Sequence, residues 1–219
     1  MIRIKICCMQ SAAEIRLAVS HGVTALGFVS EMPSGPGPVP ESVIRELVPR
    51  VPRGVRAFLL TSLGDAHAIA AQVRRTAVDT VQIVDRLVSG TYADLRAAAP
   101  GVTVVQVIHV ADDASLAEAI RVAPGVDELL LDSGRPNSAV KELGGTGRVH
   151  DWSVSRRIRE SVRVPVWLAG GLTAANVAEA IRAVRPAGVD VCSGVRVGGR
   201  LDADRLSGFI EAARASYIS

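Results

Sequence analysis

The stretch DELLLDSGRPNSAVKELGGTGRVHDW, residues 127–152, decides how this chain is read. Its apolar run Leu129-Leu130-Leu131 ends in Asp132. An unbroken apolar run suits a strand covered on both faces, as in a parallel sheet. A carboxylate at the C-terminal end of such a strand sits where parallel α/β folds carry their chemistry. The loop after it closes on Gly144-Gly145-Thr146-Gly147, a segment able to fold over a substrate. Asp132 serves equally well as a cap for the next segment, and the stretch alone leaves both readings open.

Working outward, the same alternation fills the chain. Strand-like runs are expected at residues 2–7, 25–29, 56–60, 80–84, 103–110, 128–132, 164–169 and 189–192. Helical segments are expected at 12–21, 41–48, 64–76, 91–98, 115–122, 153–161, 174–184 and 203–215. In the seventh helix Val177, Ala180, Ile181 and Val184 recur at i, i+3, i+4, i+7, one apolar stripe for a sheet to cover. Eight β-then-α units match the count of a closed (β/α)8 barrel, here expected as one domain over 1–219. Crossover handedness puts the helices in an outer ring. A doubly wound open sheet is the alternative, but it wants a glycine-rich turn after the first strand. Cys8-Met9-Gln10-Ser11 stands there instead.

Composition narrows the function classes. At 219 residues, 48% hydrophobic and 21% charged, the chain can bury a substantial core. Aromatics make up 3%, too few for base-stacking platforms, and a net charge of +3 is too mild for a nucleic-acid footprint. It does suit a small anionic ligand. No nucleic-acid partner and no membrane partner is therefore expected, since no apolar stretch reaches bilayer length. Almost all the positive charge is arginine, with Lys5 and Lys141 the two lysines. Three cysteines, Cys7, Cys8 and Cys192, form no spaced framework, so a reducing cytoplasm is the expected setting. No Cys or His cluster has zinc spacing, and no metal is expected.

Two late segments read as phosphate loops. Residues 164–173, VPVWLAGGLT, run strand, Gly170-Gly171, helix. Residues 189–195, VDVCSGV, run strand, then Ser193-Gly194. Glycine lets backbone N–H groups approach an anion, and barrels often bind phosphate after strands seven and eight. At the other end of the chain, Cys7 closes the first strand, where alternation points Lys5 and Cys7 one way and Ile4 and Ile6 the other. An isolated cysteine there is more often inert and buried than a base.

Together these pieces resemble the phosphoribosylanthranilate isomerase family. The matching pieces are IKIC at 4–7, ALGF at 25–28, VQ at 81–82, LLLDS at 129–133, GGTG at 144–147, DW at 151–152, LAGGLT at 168–173, NV at 176–177, and GVDV with SGV at 188–195. The resemblance implies a cofactor-free (β/α)8 barrel that performs an Amadori rearrangement on an N-(5-phosphoribosyl) amine. It implies Cys7 as general base and Asp132 as general acid. It places phosphate on Gly170, Gly171, Ser193 and Gly194, with Gly145, Arg148 and Arg196 as further substrate contacts. Monomer and homodimer both stay open.

The departures fall on the amine side. The family has glycine after the base cysteine, where this chain has Cys8. The family's loop after the second strand supplies an arginine for the anthranilate carboxylate, where this chain has Gly37. Val84 and Asp85 replace the family's histidine and glycine after the fourth strand, His109 an arginine on the fifth, and Arg196 a glutamate after the eighth. Either Arg148, His150 or Arg196 takes over the lost contact, or the amine is not anthranilate. A phosphosugar-binding barrel without turnover, or a phosphate-binding barrel with other chemistry, are the remaining alternatives.

Overall fold

A computed structural model describes residues 1–33, 35–134 and 150–216. Eight parallel strands close into a barrel in sequence order: β1 (Arg3–Ile6), β2 (Ala25–Val29), β3 (Arg56–Thr61), β4 (Thr80–Ile83), β5 (Thr103–His109), β6 (Glu128–Asp132), β7 (Val166–Leu168) and β8 (Gly188–Val191). Closure comes from β1 on β8, with Arg3 opposite Gly188 and Lys5 opposite Asp190. Eight helices follow their strands: α1 (Ala12–Ser20), α2 (Glu41–Leu47), α3 (Ala66–Thr76), α4 (Tyr92–Ala98), α5 (Asp113–Val122), α6 (Trp152–Ser161), α7 (Val177–Val184) and α8 (Ala203–Ala215). The expected eightfold barrel is therefore present. A short antiparallel hairpin, β9 (Arg196–Val197) with β10 (Arg200–Leu201), was not anticipated.

Helix starts are set by side-chain caps. Ser11, Asp65, Thr91, Asp112, Asp151 and Asp202 each accept a hydrogen bond from a backbone N–H in the first turn of the adjoining helix. Each cap satisfies a donor that the helix itself leaves unpaired.

Strand alternation divides the apolar residues between two cores. Ile4, Ile6, Val81, Ile83, Leu129, Leu131, Val189 and Val191 face outward and pack with the helices. Cys7, Ala25, Val29, Phe58, Leu60, Val84, Val105, Val107, Leu130, Trp167 and Ala169 fill the barrel itself. The floor of the barrel is polar but paired. Glu128 accepts from Arg3 (2.7 Å), Arg56 (3.0 Å) and the Trp167 indole N–H (2.6 Å). The Arg3 guanidinium also lies 4.6 Å from the Trp167 ring centre, and Arg56 the same distance from Phe58. With its floor plugged, the barrel opens only at the C-terminal ends of its strands.

Candidate active site

The open end of the barrel holds a cavity. Cys7, Gln82, Asp132, Asp190 and Cys192 line it, together with Gly170, Gly171 and Ser193. Val29, Met32, Gly35, Pro36, Leu60 and Cys8 add an apolar wall.

Cys7 comes directly after the last residue of β1, and its N–H donates to the Val191 carbonyl at 2.9 Å. Alternation turns its side chain inward, beside Lys5. Gly27 on β2 makes room for both. A Cβ there would lie 2.9 Å from the Cys7 sulfur and 3.2 Å from the Lys5 nitrogen. Lys5 is fully buried, and its Nζ donates to Asp190 Oδ2 at 2.8 Å. Burial opposes the ammonium, but Asp190 and the neighbouring thiols outweigh it, so the Lys5 pKa stands above its ordinary value. A buried cation is tolerated because it is paired.

The three thiols meet on this wall, and Cys7 and Cys8 are shifted in opposite directions. Hydrogen bonding to Cys8 pulls the Cys7 pKa down, and the Lys5 charge adds to it; burial and Asp190 oppose them without winning. Hydrogen bonding to Cys192 and Cys7, plus burial, pushes Cys8 well above its ordinary value. Cys8 therefore stays protonated while Cys7 is the thiol that ionises.

Asp132 closes β6, opposite His109 on β5. Desolvation raises its pKa, and the Asp190 charge pushes the same way. The Ser133 N–H, which donates to Oδ1 at 2.7 Å, and the charges of His109 and Lys5 oppose this and lose. The cavity thus carries a thiol tuned toward its basic form and a carboxyl tuned toward its acid form. Such a split between two titratable groups is what acid–base chemistry requires.

The expected phosphate residues sit together. Gly170 and Gly171 take left-handed φ values of 84° and 63° after β7, and Ser193 lies beside them after β8. Gly194 is one step behind. A Cβ on it would stand 2.1 Å from the Leu172 carbonyl oxygen, so the β8 turn packs on the β7 loop through glycine alone. Gly145 and Arg148 lie outside the described residues. Arg196, expected as a substrate contact, does not line the cavity. Its guanidinium is buried behind the β1 turn and engaged by Glu14 at 2.8 Å.

Sequence reading missed Gln82, Asp190 and Cys192 as cavity residues. The signal was present in the alternation: a polar side chain at an inward position near a strand's C-terminal end belongs to the site. Gln106 shows the contrast. It faces outward, where its amide donates to the carbonyls of Ile83, Asp85 and Val107. Gln82 Oε1 and Asp190 Oδ1, by comparison, have no protein partner among the described residues.

Among the described residues no group of three or more His, Cys, Asp or Glu is arranged to hold a metal ion, and no helix is long and apolar enough to cross a membrane. The sequence matches the family described as N-(5'phosphoribosyl)anthranilate (PRA) isomerase over residues 4–212. It is 37% identical to the N-(5'-phosphoribosyl)anthranilate isomerase of Halorubrum lacusprofundi, covering 97% of each chain. The fold superposes on phosphoribosyl anthranilate isomerase from Thermotoga maritima with a TM-score of 0.82 at 27% identity, covering 98% of this chain and 100% of the other. A phosphoribosyl anthranilate isomerase in complex with reduced 1-(o-carboxyphenylamino)-1-deoxyribulose 5-phosphate gives 0.80 at 25% identity, with the same coverage. Matched along nearly its whole length in both sequence and fold, the chain belongs to the N-(5'-phosphoribosyl)anthranilate isomerase family.

Proposed function

We propose that this chain isomerises an N-(5-phosphoribosyl) amine to the 1-amino-1-deoxyribulose 5-phosphate, with Asp132 as general acid and Cys7 as general base. One observation carries the reading. Cys7 and Asp132 line the same cavity from β1 and β6, and the β7 and β8 loops with their glycines lie between them. Phosphate held on Gly170, Gly171, Ser193 and Gly194 would seat the ribose between acid and base.

Asp132 donates its proton to the furanose ring oxygen. The C1–O bond breaks as nitrogen's lone pair forms the iminium. That iminium acidifies the adjacent C2–H, and the Cys7 thiolate removes the proton. The resulting enolamine tautomerises to the ketone. No electrons leave the substrate, so acid and base suffice. The raised Asp132 pKa and the lowered Cys7 pKa each shift the group toward the form its step needs.

A second reading concerns the amine. Gly37 stands where the family's arginine is expected, and the Cys8 side chain fills the space beside it, which supports an aglycone without the carboxylate of anthranilate. Complementation of a tryptophan auxotroph lacking the isomerase separates the two, run beside a direct assay with phosphoribosylanthranilate. Growth and turnover support the anthranilate substrate. A folded chain that does neither, yet converts another phosphoribosyl amine, supports the second reading. Tight binding of phosphoribosyl compounds with no product from any amine would refute catalysis itself.

A further inference from the structure

Arg196 opens the β9–β10 hairpin directly behind the turn that carries Cys7. Its Nη2 donates to the carbonyls of Cys7 (3.0 Å) and Cys8 (2.6 Å). Its Nη1 donates to Glu14 Oε1 (2.8 Å) and to the Gly199 carbonyl (2.9 Å). Glu14 also accepts from the backbone N–H groups of Gln10 and Leu201, each at 3.0 Å. One buried ion pair therefore ties the turn after β1 to the start of α1 and to both strands of the hairpin. Lysine, with a single nitrogen, lacks the planar fork that reaches these partners together.

The turn it grips is a costly one. Cys8 holds φ at 66°, the left-handed region that side-chain-bearing residues seldom occupy. Two consecutive carbonyls converge on one guanidinium nitrogen, which favours those dihedrals over the extended alternatives. We infer that Arg196 is a positioning residue: by holding the carbonyls of Cys7 and Cys8, it fixes the left-handed turn that aims the Cys7 thiol into the cavity. Glu14 balances its charge and orients it. This rests on Cys7 acting as the base.

The test uses the full chain and the amine substrate it turns over. Arg196→Met, Arg196→Lys, Glu14→Gln/Arg196→Met and Cys7→Ser are compared for kcat, KM, the pH dependence of kcat, and thermal midpoint. A base displaced by about 1 Å loses roughly a hundredfold in rate. Arg196→Met should therefore lower kcat about that much while KM stays within about threefold. Arg196→Lys should recover part of the loss. The acid limb should move to higher pH as well, because a relaxed turn takes the Cys8 hydrogen bond away from Cys7. The double variant leaves no unpaired Glu14, so it keeps the test readable if the single variant fails to fold. Normal kcat in a folded double variant overturns the positioning role. A KM raised tenfold at normal kcat overturns it too, in favour of a substrate contact. Full turnover by Cys7→Ser refutes the base assignment instead, and the positioning role with it.

Discussion

Replacing Lys5 with methionine should move the acid limb of the rate profile to higher pH, and the size of the move is set by the geometry. A Cβ on Gly27 would lie 2.9 Å from the Cys7 sulfur and 3.2 Å from the Lys5 nitrogen, so those two atoms are no more than about 6 Å apart. At an effective dielectric constant of about 20, a charge at that distance is worth roughly 3 kcal/mol to the thiolate. Asp190, 2.8 Å from Lys5, opposes the thiolate and offsets part of it. The sign is fixed: Lys5 favours the ionised thiol, so without it Cys7 gives up its proton later.

The measurement is kcat/KM against pH for wild type, Lys5→Met and Lys5→Met/Asp190→Asn. In the single variant the ascending limb should move to higher pH, with activity at neutral pH down about ten- to hundredfold and partly regained in alkali. The double variant should rise less, because the opposing carboxylate is gone as well. An ascending limb unmoved in a folded Lys5→Met chain would show that the ammonium does not set the ionisation of Cys7. The electrostatic account of the base would then fail.

Other perturbations test the remaining parts. Cys7→Ala and Asp132→Asn should each cut turnover by at least about a hundredfold, the usual scale for losing a general base or acid, and near-normal kinetics in either would refute that role. Gly194→Ala forces a methyl toward the Leu172 carbonyl 2.1 Å away, so the phosphate loops must separate. Losing one charge-assisted N–H contact, about 1.5–3 kcal/mol, should raise KM by at least about tenfold; an unchanged KM would remove Gly194 from the phosphate site. Glu128→Gln strips the carboxylate from Arg3 and Arg56, which are 31% and 27% exposed. Partial solvation reduces the penalty to about 2–3 kcal/mol, read from the denaturation midpoint, with activity of the folded enzyme little changed.

The barrel was legible because its signal is repeated. Eight apolar runs separated by amphipathic helices fix the fold even where single boundaries shift. The seventh strand was expected at 164–169 and spans Val166–Leu168, since Pro165 cannot donate to the ladder. Strand position alone left Asp132 a possible cap and made Cys7 more often an inert cysteine, and both were singled out by the family resemblance; the structure places both on the cavity. The place of Arg196 was not legible, for a local reason. Arg196–Val197 and Arg200–Leu201 form a two-strand hairpin too short to show any alternation. That hairpin folds the Arg196 side chain back behind β1 instead of over the cavity. The Asp190 side chain was hidden differently: an acidic residue within VDVC reads as a break in a buried strand, until Lys5 is found opposite it in the barrel register.

Two of the departures from the family pattern meet in three dimensions. In sequence Cys8 and Gly37 are unrelated changes, one adding a side chain and one removing it. In the fold, a Cβ on Gly37 would stand 2.6 Å from the Cys8 Cβ and 3.3 Å from its sulfur. Cys8 Sγ also lies 3.4 Å from the Pro36 carbonyl oxygen, so the loop rests directly on this side chain. Gly37 holds φ at 78°, a conformation that suits glycine. A side chain at position 8 therefore requires its absence at position 37. Reverting position 37 to arginine alone meets the cysteine, and reverting position 8 alone leaves a hole without a cation. The exchange also reaches the chemistry, because Cys8 is the hydrogen-bonding partner that does most to lower the Cys7 pKa. The Cys8 side chain that fills the space beside Gly37 is thus also the one whose hydrogen bond lowers the Cys7 pKa.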